Sequence, residues 1–243
     1  MKHLILVGAC YLDTILTVPS FPQEDSKLRA SSLRIRRGGN CPNSLEVLLQ
    51  LLDPNAVKTH LISTLPSAIS ASTSQIFTSF GPNSTSVDFA HCLYREEHDA
   101  PASSYIIRNA ATGSRTIVNF NDLPEMTTDE FSRAADAILA TDQAGEFWWH
   151  FEGRIPETTL QCIRHLRRVT PQSTVSVEVE KPNREGLGAL AAEADIVFYS
   201  RSWAEVSDPL FLPSPYWQNC KRTRVDMILL LLSLGLGSPS RHR

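Results

Sequence analysis

The feature that most constrains this chain is a regular alternation of helical and extended periods between residues 127 and 199. Helix-period stretches at 127–140, 156–168 and 185–193 alternate with strand-like stretches at 147–151, 173–179 and 195–199. Strands that alternate with helices of this length are joined by crossovers, which set the strands parallel and put helices on both faces of the sheet. Leu4-Ile5-Leu6-Val7-Gly8-Ala9 is a further continuous apolar run, as expected of a strand buried on both sides. The expected class is therefore α/β.

The intervening segment has a different period. Residues 14–18 and 28–36, on either side of a turn bounded by Pro19 and Pro22, alternate apolar and polar positions and predict a β-hairpin with one wet face. Gly38-Gly39-Asn40 breaks the hairpin, and Leu45, Val47, Leu48, Leu49, Leu51 and Leu52 predict a helix that Asp53-Pro54 stops. Strands are expected at 57–65, 87–94, 103–108 and 115–120, with a helix at 68–80. The last two strands flank a hairpin turn at 109–114. The reading is a doubly wound, mostly parallel sheet with a small β appendage built from about 14–36 and part of 87–120.

Beyond Glu205 the periodicity dissolves. Pro209, Pro213 and Pro215, a basic patch of Lys221, Arg222 and Arg224, and a leucine run at 228–236 follow without caps or a clean period. Residues 1–205 are expected to form the domain, incomplete at its C-terminal end, and 206–243 to be an aberrant tail foreign to the fold.

Charge and cysteine usage narrow the partners. Lys+Arg is 23 against Asp+Glu 26, a formal net charge of −3, which gives no global attraction to nucleic acid or an anionic membrane. Arg34, Arg36 and Arg37 form a local basic cluster, read as a solvated strand face with an anion site as the alternative. The five cysteines are scattered with no C-x-x-C pair, which suits a reducing, cytoplasmic setting. Met1-Lys2-His3 and the apolar run after it have the polarity order of a leader, but Asp13 follows at once and a buried first strand explains the run. The leucine run is far shorter than the roughly 20 residues that span a bilayer. The sequon Asn83-Ser84-Thr85 has consequences only in a secreted protein.

The chemistry concentrates in Arg37-Gly38-Gly39-Asn40-Cys41-Pro42-Asn43-Ser44. Two glycines admit a close ligand, and the helix they open aims free N–H groups at the same space. Asn40 and Asn43, three apart, present two amides on one side of that helix for hydroxyl groups. Asp13, at the end of the first strand, stands where parallel sheets hold ligands and offers a double acceptor for a diol. A tight turn with Asn40 as helix cap fits the same spacing. His150, with Trp148 and Trp149, reads as packing. Gly8 opens no G-x-G-x-x-G spacing, which counts against a dinucleotide site.

Gly38-Gly39-Asn40-Cys41-Pro42-Asn43-Ser44 resembles the first signature of the PfkB-type (ribokinase-like) carbohydrate kinases, and its surroundings look like the ketohexokinase branch of that family. Leu12-Asp13, Glu24-Asp25-Ser26, Arg36-Arg37-Gly38-Gly39-Asn40, Arg115-Thr116-Ile117-Val118, Phe151-Glu152-Gly153-Arg154 and Val175-Ser176-Val177-Glu178-Val179-Glu180-Lys181-Pro182 follow in family order. The resemblance implies a doubly wound kinase core with a small β-sheet lid that covers the sugar and often forms a homodimer. It implies ATP and Mg²⁺, and a ketohexose such as fructose as acceptor. Asp13, Gly38, Gly39, Asn40 and Asn43 would hold sugar hydroxyls. Arg115 would approach the transferred phosphate, or close the hairpin as a surface arginine. Glu152 and Glu178 would face nucleotide and Mg²⁺, with an ion pair to Arg154 as the alternative for Glu152. Lys181 would reach a phosphate or remain a solvated loop residue.

The resemblance stops at the family's second signature, Asp-Thr-x-Gly-Ala-Gly-Asp, which these 243 residues do not contain. That motif supplies the anion hole and the catalytic Asp on which phosphoryl transfer depends. The expectation is a chain without turnover. The alternative is a catalytically dead sugar-binding protein that dimerises through its lid.

Overall fold

The computed structural model describes residues 1–200 and Trp203, so the segment 206–243 expected to be foreign to the fold lies outside the described residues. The chain opens with β1 (Lys2–Val7). Then β2 (Tyr11–Val18) and β3 (Ser32–Gly38) pair antiparallel, with Tyr11 opposite Gly38 and Thr17 opposite Ser32. Next come α1 (Asn40–Leu48), β4 (Val57–Ile62), β5 (Thr64–Pro66) and α2 (Ala71–Thr78). A 3₁₀ turn, Gly81–Ser86, precedes β6 (Val87–Asp88) and β7 (Leu93–Arg95), and β8 (Ser103–Asn109) and β9 (Arg115–Phe120) form the second hairpin. The alternating half follows as α3 (Thr128–Thr141), β10 (Glu146–Glu152), α4 (Pro156–Val169), β11 (Thr174–Val179), α5 (Leu187–Glu193) and β12 (Ile196–Tyr199).

The main sheet has the order β12-β11-β10-β1-β4-β6, and every adjacent pair is parallel. The strand period of two splits its side chains between two cores. Ile5 and Val7 point to one face, where Phe131, Ile138, Ile163 and Leu166 of α3 and α4 cover them. Leu6 points to the other, against Cys41 and Leu45 of α1 and Ile76 of α2. Helices on both faces make the sheet doubly wound, as the alternation predicts.

Local signals explain the helix ends. Thr127 and Glu130 close a capping box at the start of α3. In α4 the buried positions Thr159, Cys162, Ile163 and Leu166 follow the helical repeat. Pro156 opens that helix, and Arg167 and Arg168 lie in its last turn, complementing its dipole.

A second, four-stranded sheet has the order β3-β2-β8-β9. Its central pair, β2 and β8, is parallel, while both outer pairs are antiparallel hairpins. The register divides its faces. Asp13, Arg36, Ser104 and Asn119 stand in one row across the sheet, with Arg115 further along the same face. The opposite face carries Leu33, Ile35, Tyr105, Val118 and Phe120, all exposed.

Two expected strands differ: the one at 57–65 ends at Ile62, with Thr64–Pro66 forming β5 in another sheet, and the one at 87–94 is broken as well. Residues 87–94 do not run straight, because the Asp88 carboxylate accepts from the Ala90 N–H at 2.9 Å and pairs with Lys58 at 3.3 Å, turning the chain. The piece beyond the turn, β7, pairs with β5 in a separate two-stranded sheet.

Candidate active site

The site lies where β1 ends and the chain crosses into the lid-like sheet. Gly39 has φ 102°, outside the range of L side chains, and a Cβ there would run into the Ala9 carbonyl oxygen. A Cβ on Gly38 would likewise occupy the Asp13 carboxylate. The glycine pair is therefore required by close approach on two sides: Ala9, just beyond β1, and Asp13 of β2. It brings the start of α1 against both.

Asn40 does not cap its helix. The cap position is Gly39, with no side-chain cap bond, and Asn40 Nδ2 instead donates to Glu178 Oε1 at 3.1 Å. Asn43, one turn on, accepts from Arg37 Nη1 at 3.3 Å. Both amides are thus held by partners distant from the helix backbone, and each is half-buried.

Glu152 and Glu178 are in register on the adjacent strands β10 and β11. Glu152 accepts from the Ala9 N–H at 2.7 Å, which ties the end of β10 to the turn after β1. Burial raises its carboxyl above the usual range, while the Ala9 N–H and Arg154 pull it back. Burial, with the charges of Glu152 and Glu180, pushes the Glu178 carboxyl up to about 7 against the pull of Asn40. Asp13 is also raised by burial, partly offset by the Ser104 hydroxyl and by Arg36 and Arg115. Burial pushes the neighbouring Cys10 thiol up to about 12 and Cys41 well above its ordinary value, so neither is a nucleophile at neutral pH.

Arg154 is not the partner of Glu152 as an ion pair. Its guanidinium donates to the Tyr11 hydroxyl and pairs with Glu125, linking the end of β10 to the start of β2. A small cavity opens beside it, lined by Gly8, Ala9, Ser63, Glu125, Glu152 and Arg154. Arg115 lies on the Asp13 face of the second sheet but at its exposed edge. Lys181 is exposed in the loop after β11 and is not drawn into the cluster. The structure links Asp13, Gly38, Gly39, Asn40, Glu152 and Glu178, with Asn43 one turn along α1 on Arg37, Arg115 at the margin and Lys181 outside.

Mg²⁺ in phosphoryl-transfer sites keeps several waters and is held through one or two carboxylates together with substrate phosphates, so it does not need a shell of six protein oxygens. Among the described residues no group of three or more His, Cys, Asp or Glu side chains could hold a metal ion. Glu152 and Glu178 each already hold a protein donor. Each keeps lone pairs free, so the two fit the one or two carboxylates that Mg²⁺ takes beside nucleotide phosphates.

Three residues at the site escaped the sequence reading. Ala9 contributes only backbone, which carries no signal in a side-chain pattern. Arg154 looked like a local partner for Glu152. Arg37 was grouped with Arg34 and Arg36 as strand-face charge, which holds for those two exposed residues but not for Arg37, which is 4% exposed. The period of two marks the difference, since Arg37 points to the face opposite Arg36. His150 is packed as expected, with Nδ1 2.9 Å from Ser176 Oγ and its pKa lowered to about 4 by burial. Trp149 is core, whereas Trp148 is 39% exposed and donates to the same Ser176 hydroxyl.

No family model matches the chain. Over 211 residues the chain is 31% identical to the ketohexokinase of Mus musculus, an alignment that takes in 84% of this chain and 65% of that protein. The chain thus spans a little under two thirds of the length of this relative. Its fold is similar to that of the ribokinase of Giardia lamblia, with a TM-score of 0.66, 13% identity, and 85% of this chain and 60% of that one covered. The nucleoside kinase of Methanocaldococcus jannaschii, an archaeal member of the ribokinase family, gives 0.64 at 17% identity, covering 90% and 68%. The Arabidopsis thaliana ribokinase complexed with ribose and ATP gives 0.60 at 16%, covering 85% and 62%.

Proposed function

We propose that this member of the PfkB-type (ribokinase-like) carbohydrate kinase family is a sugar kinase by descent, whose 243 residues carry the sugar-binding half of the site. The observation that carries the reading is the convergence of Asp13, the Gly38-Gly39 pair and the amides of Asn40 and Asn43 at the end of β1. A carboxylate between two backbone segments accepts from two hydroxyls of a polyol. With its oxygen on Arg37, Asn43 adds a donor, and with its nitrogen on Glu178, Asn40 adds an acceptor. The first turn of α1 offers free N–H groups to the same oxygens. The acceptor substrate is a ketohexose such as fructose, in keeping with the 31% identity to a ketohexokinase.

ATP is the phosphate donor we assign, since the Arabidopsis relative is complexed with ribose and ATP and the Cryptococcus neoformans ribokinase with ADP. Arg115 would offset charge on the transferred phosphoryl group, and Glu152, Glu178 and Lys181 would border the nucleotide. Mg²⁺ would be held by Glu152 and Glu178 and would offset charge on the nucleotide phosphates. These 243 residues hold no match to the second family signature, so we assign them sugar binding without turnover.

The lid-like sheet suits this role, with a polar face bearing Asp13, Arg36, Ser104 and Arg115 and an apolar outer face. Exposure of Ile35 at 52% and Val118 at 61% supports a homodimer through that outer face. The test is a coupled assay of ATP-dependent fructose phosphorylation beside thermal melts with and without the sugar. Sugar-dependent stabilisation with no phosphorylation is expected. Turnover by the purified chain would overturn the non-catalytic assignment, and a melt unmoved by any ketose would overturn sugar binding.

A further inference from the structure

Arg37 is the penultimate residue of β3 and carries a guanidinium whose side chain is 2% exposed. Its donors are shared among three residues on two helices. Nε donates to Ser79 Oγ at the end of α2 at 3.0 Å, Nη1 to Asn43 Oδ1 in α1 at 3.3 Å, and Nη2 to the Glu46 carboxylate one turn further along α1. The Phe80 ring lies against its face, 4.1 Å from the guanidinium carbon to the ring centroid. Glu46 offsets a charge that burial would otherwise disfavour.

A guanidinium has five donors and no acceptor, so the atom that Asn43 turns toward it must be the amide oxygen. The amide nitrogen then faces away from Arg37. We propose that Arg37 is a positioning residue that fixes the Asn43 amide with Nδ2 outward, so that Asn43 offers a bound polyol a donor and requires an oxygen lone pair opposite it. This rests on the sugar-binding reading for its ligand but not for the orientation itself. It also gives the sheet a second task, since one side chain at its edge sets the polarity of a hydrogen-bonding group on α1.

The experiment is side-chain amide exchange by NMR on the ¹⁵N-labelled full chain, with the Asn43 NH₂ pair identified by its loss in Asn43→Asp. In the free protein these protons are expected to exchange with water rapidly, and fructose is expected to slow them about tenfold. Slow exchange in the free protein would overturn the proposal, because it would mean that the amide donates to the protein instead. If fructose and other ketoses bind nowhere, the sugar reading fails while the free-state exchange still decides the orientation. Arg37→Lys adds a second readout, as a compact ammonium cannot span Ser79, Asn43 and Glu46 at once. A folded Arg37→Lys chain is expected to bind fructose about tenfold more weakly, and unchanged affinity would contradict the positioning role. Should that variant fail to fold, the wild-type exchange measurement stands alone.

Discussion

Gly39 and Glu178 show how single residues set the site. At φ 102°, with the Ala9 carbonyl against its Cα, Gly39 tolerates no side chain. Gly39→Ala is expected to cost about 2 kcal/mol or more in urea unfolding and to weaken fructose binding, because the Ala9 contact must open. Glu178 has a folded pKa of about 7, above the ordinary carboxylate value. The native state therefore binds more protons than the unfolded chain between roughly pH 4.5 and 7, and the stability this contributes is lost as pH rises through that window. Thermal melts of wild type and Glu178→Gln are expected to diverge across that range, with the variant lacking this loss. Parallel pH profiles would refute the buried, proton-holding carboxyl. A local glycine-asparagine pattern points to Gly38, Gly39, Asn40 and Asn43, and the end of the first strand points to Asp13. Neither signal reaches their partners, since Asn40 meets Glu178 across 138 residues and Ala9 meets Glu152 across 143. Such pairs depend on strand register, which no local pattern contains.

At the scale of elements, helical and two-residue periods were good guides. The segments 127–140 and 156–168 correspond to α3 and α4, because each has a wide apolar stripe and clear end signals. Residues 87–94 were harder, since the apolar positions that suggested one strand lie on both sides of a turn set by the Asp88 carboxylate. The parallel pairing of β2 with β8 was also out of reach, because each belongs to its own hairpin in sequence. The outer face of this sheet yields a test of association. Ile35→Asp places a charge among Leu33, Tyr105 and Val118, where water already reaches in the single chain. Light scattering at micromolar concentration is expected to give a dimer for the wild type and a monomer for Ile35→Asp. A wild-type monomer would remove the lid interface from the account.

For the whole molecule, the two cores on either side of one parallel sheet place Ala9, Glu152 and Glu178 at the carboxyl ends of neighbouring strands, β1, β10 and β11. The lid-like sheet is continuous in chain with this crevice through β2 and β3, so Asp13 and the Gly38-Gly39 pair enter the same space from the other side. This two-sided construction suits a polyol with hydroxyls on both faces. Calorimetric titration of the 243-residue chain with fructose, repeated on Asp13→Ala, tests sugar binding most directly. Saturable binding by the wild type and none by a folded Asp13→Ala chain is expected. Equal binding by both, or no binding of any ketose by a folded wild-type chain, would contradict that expectation.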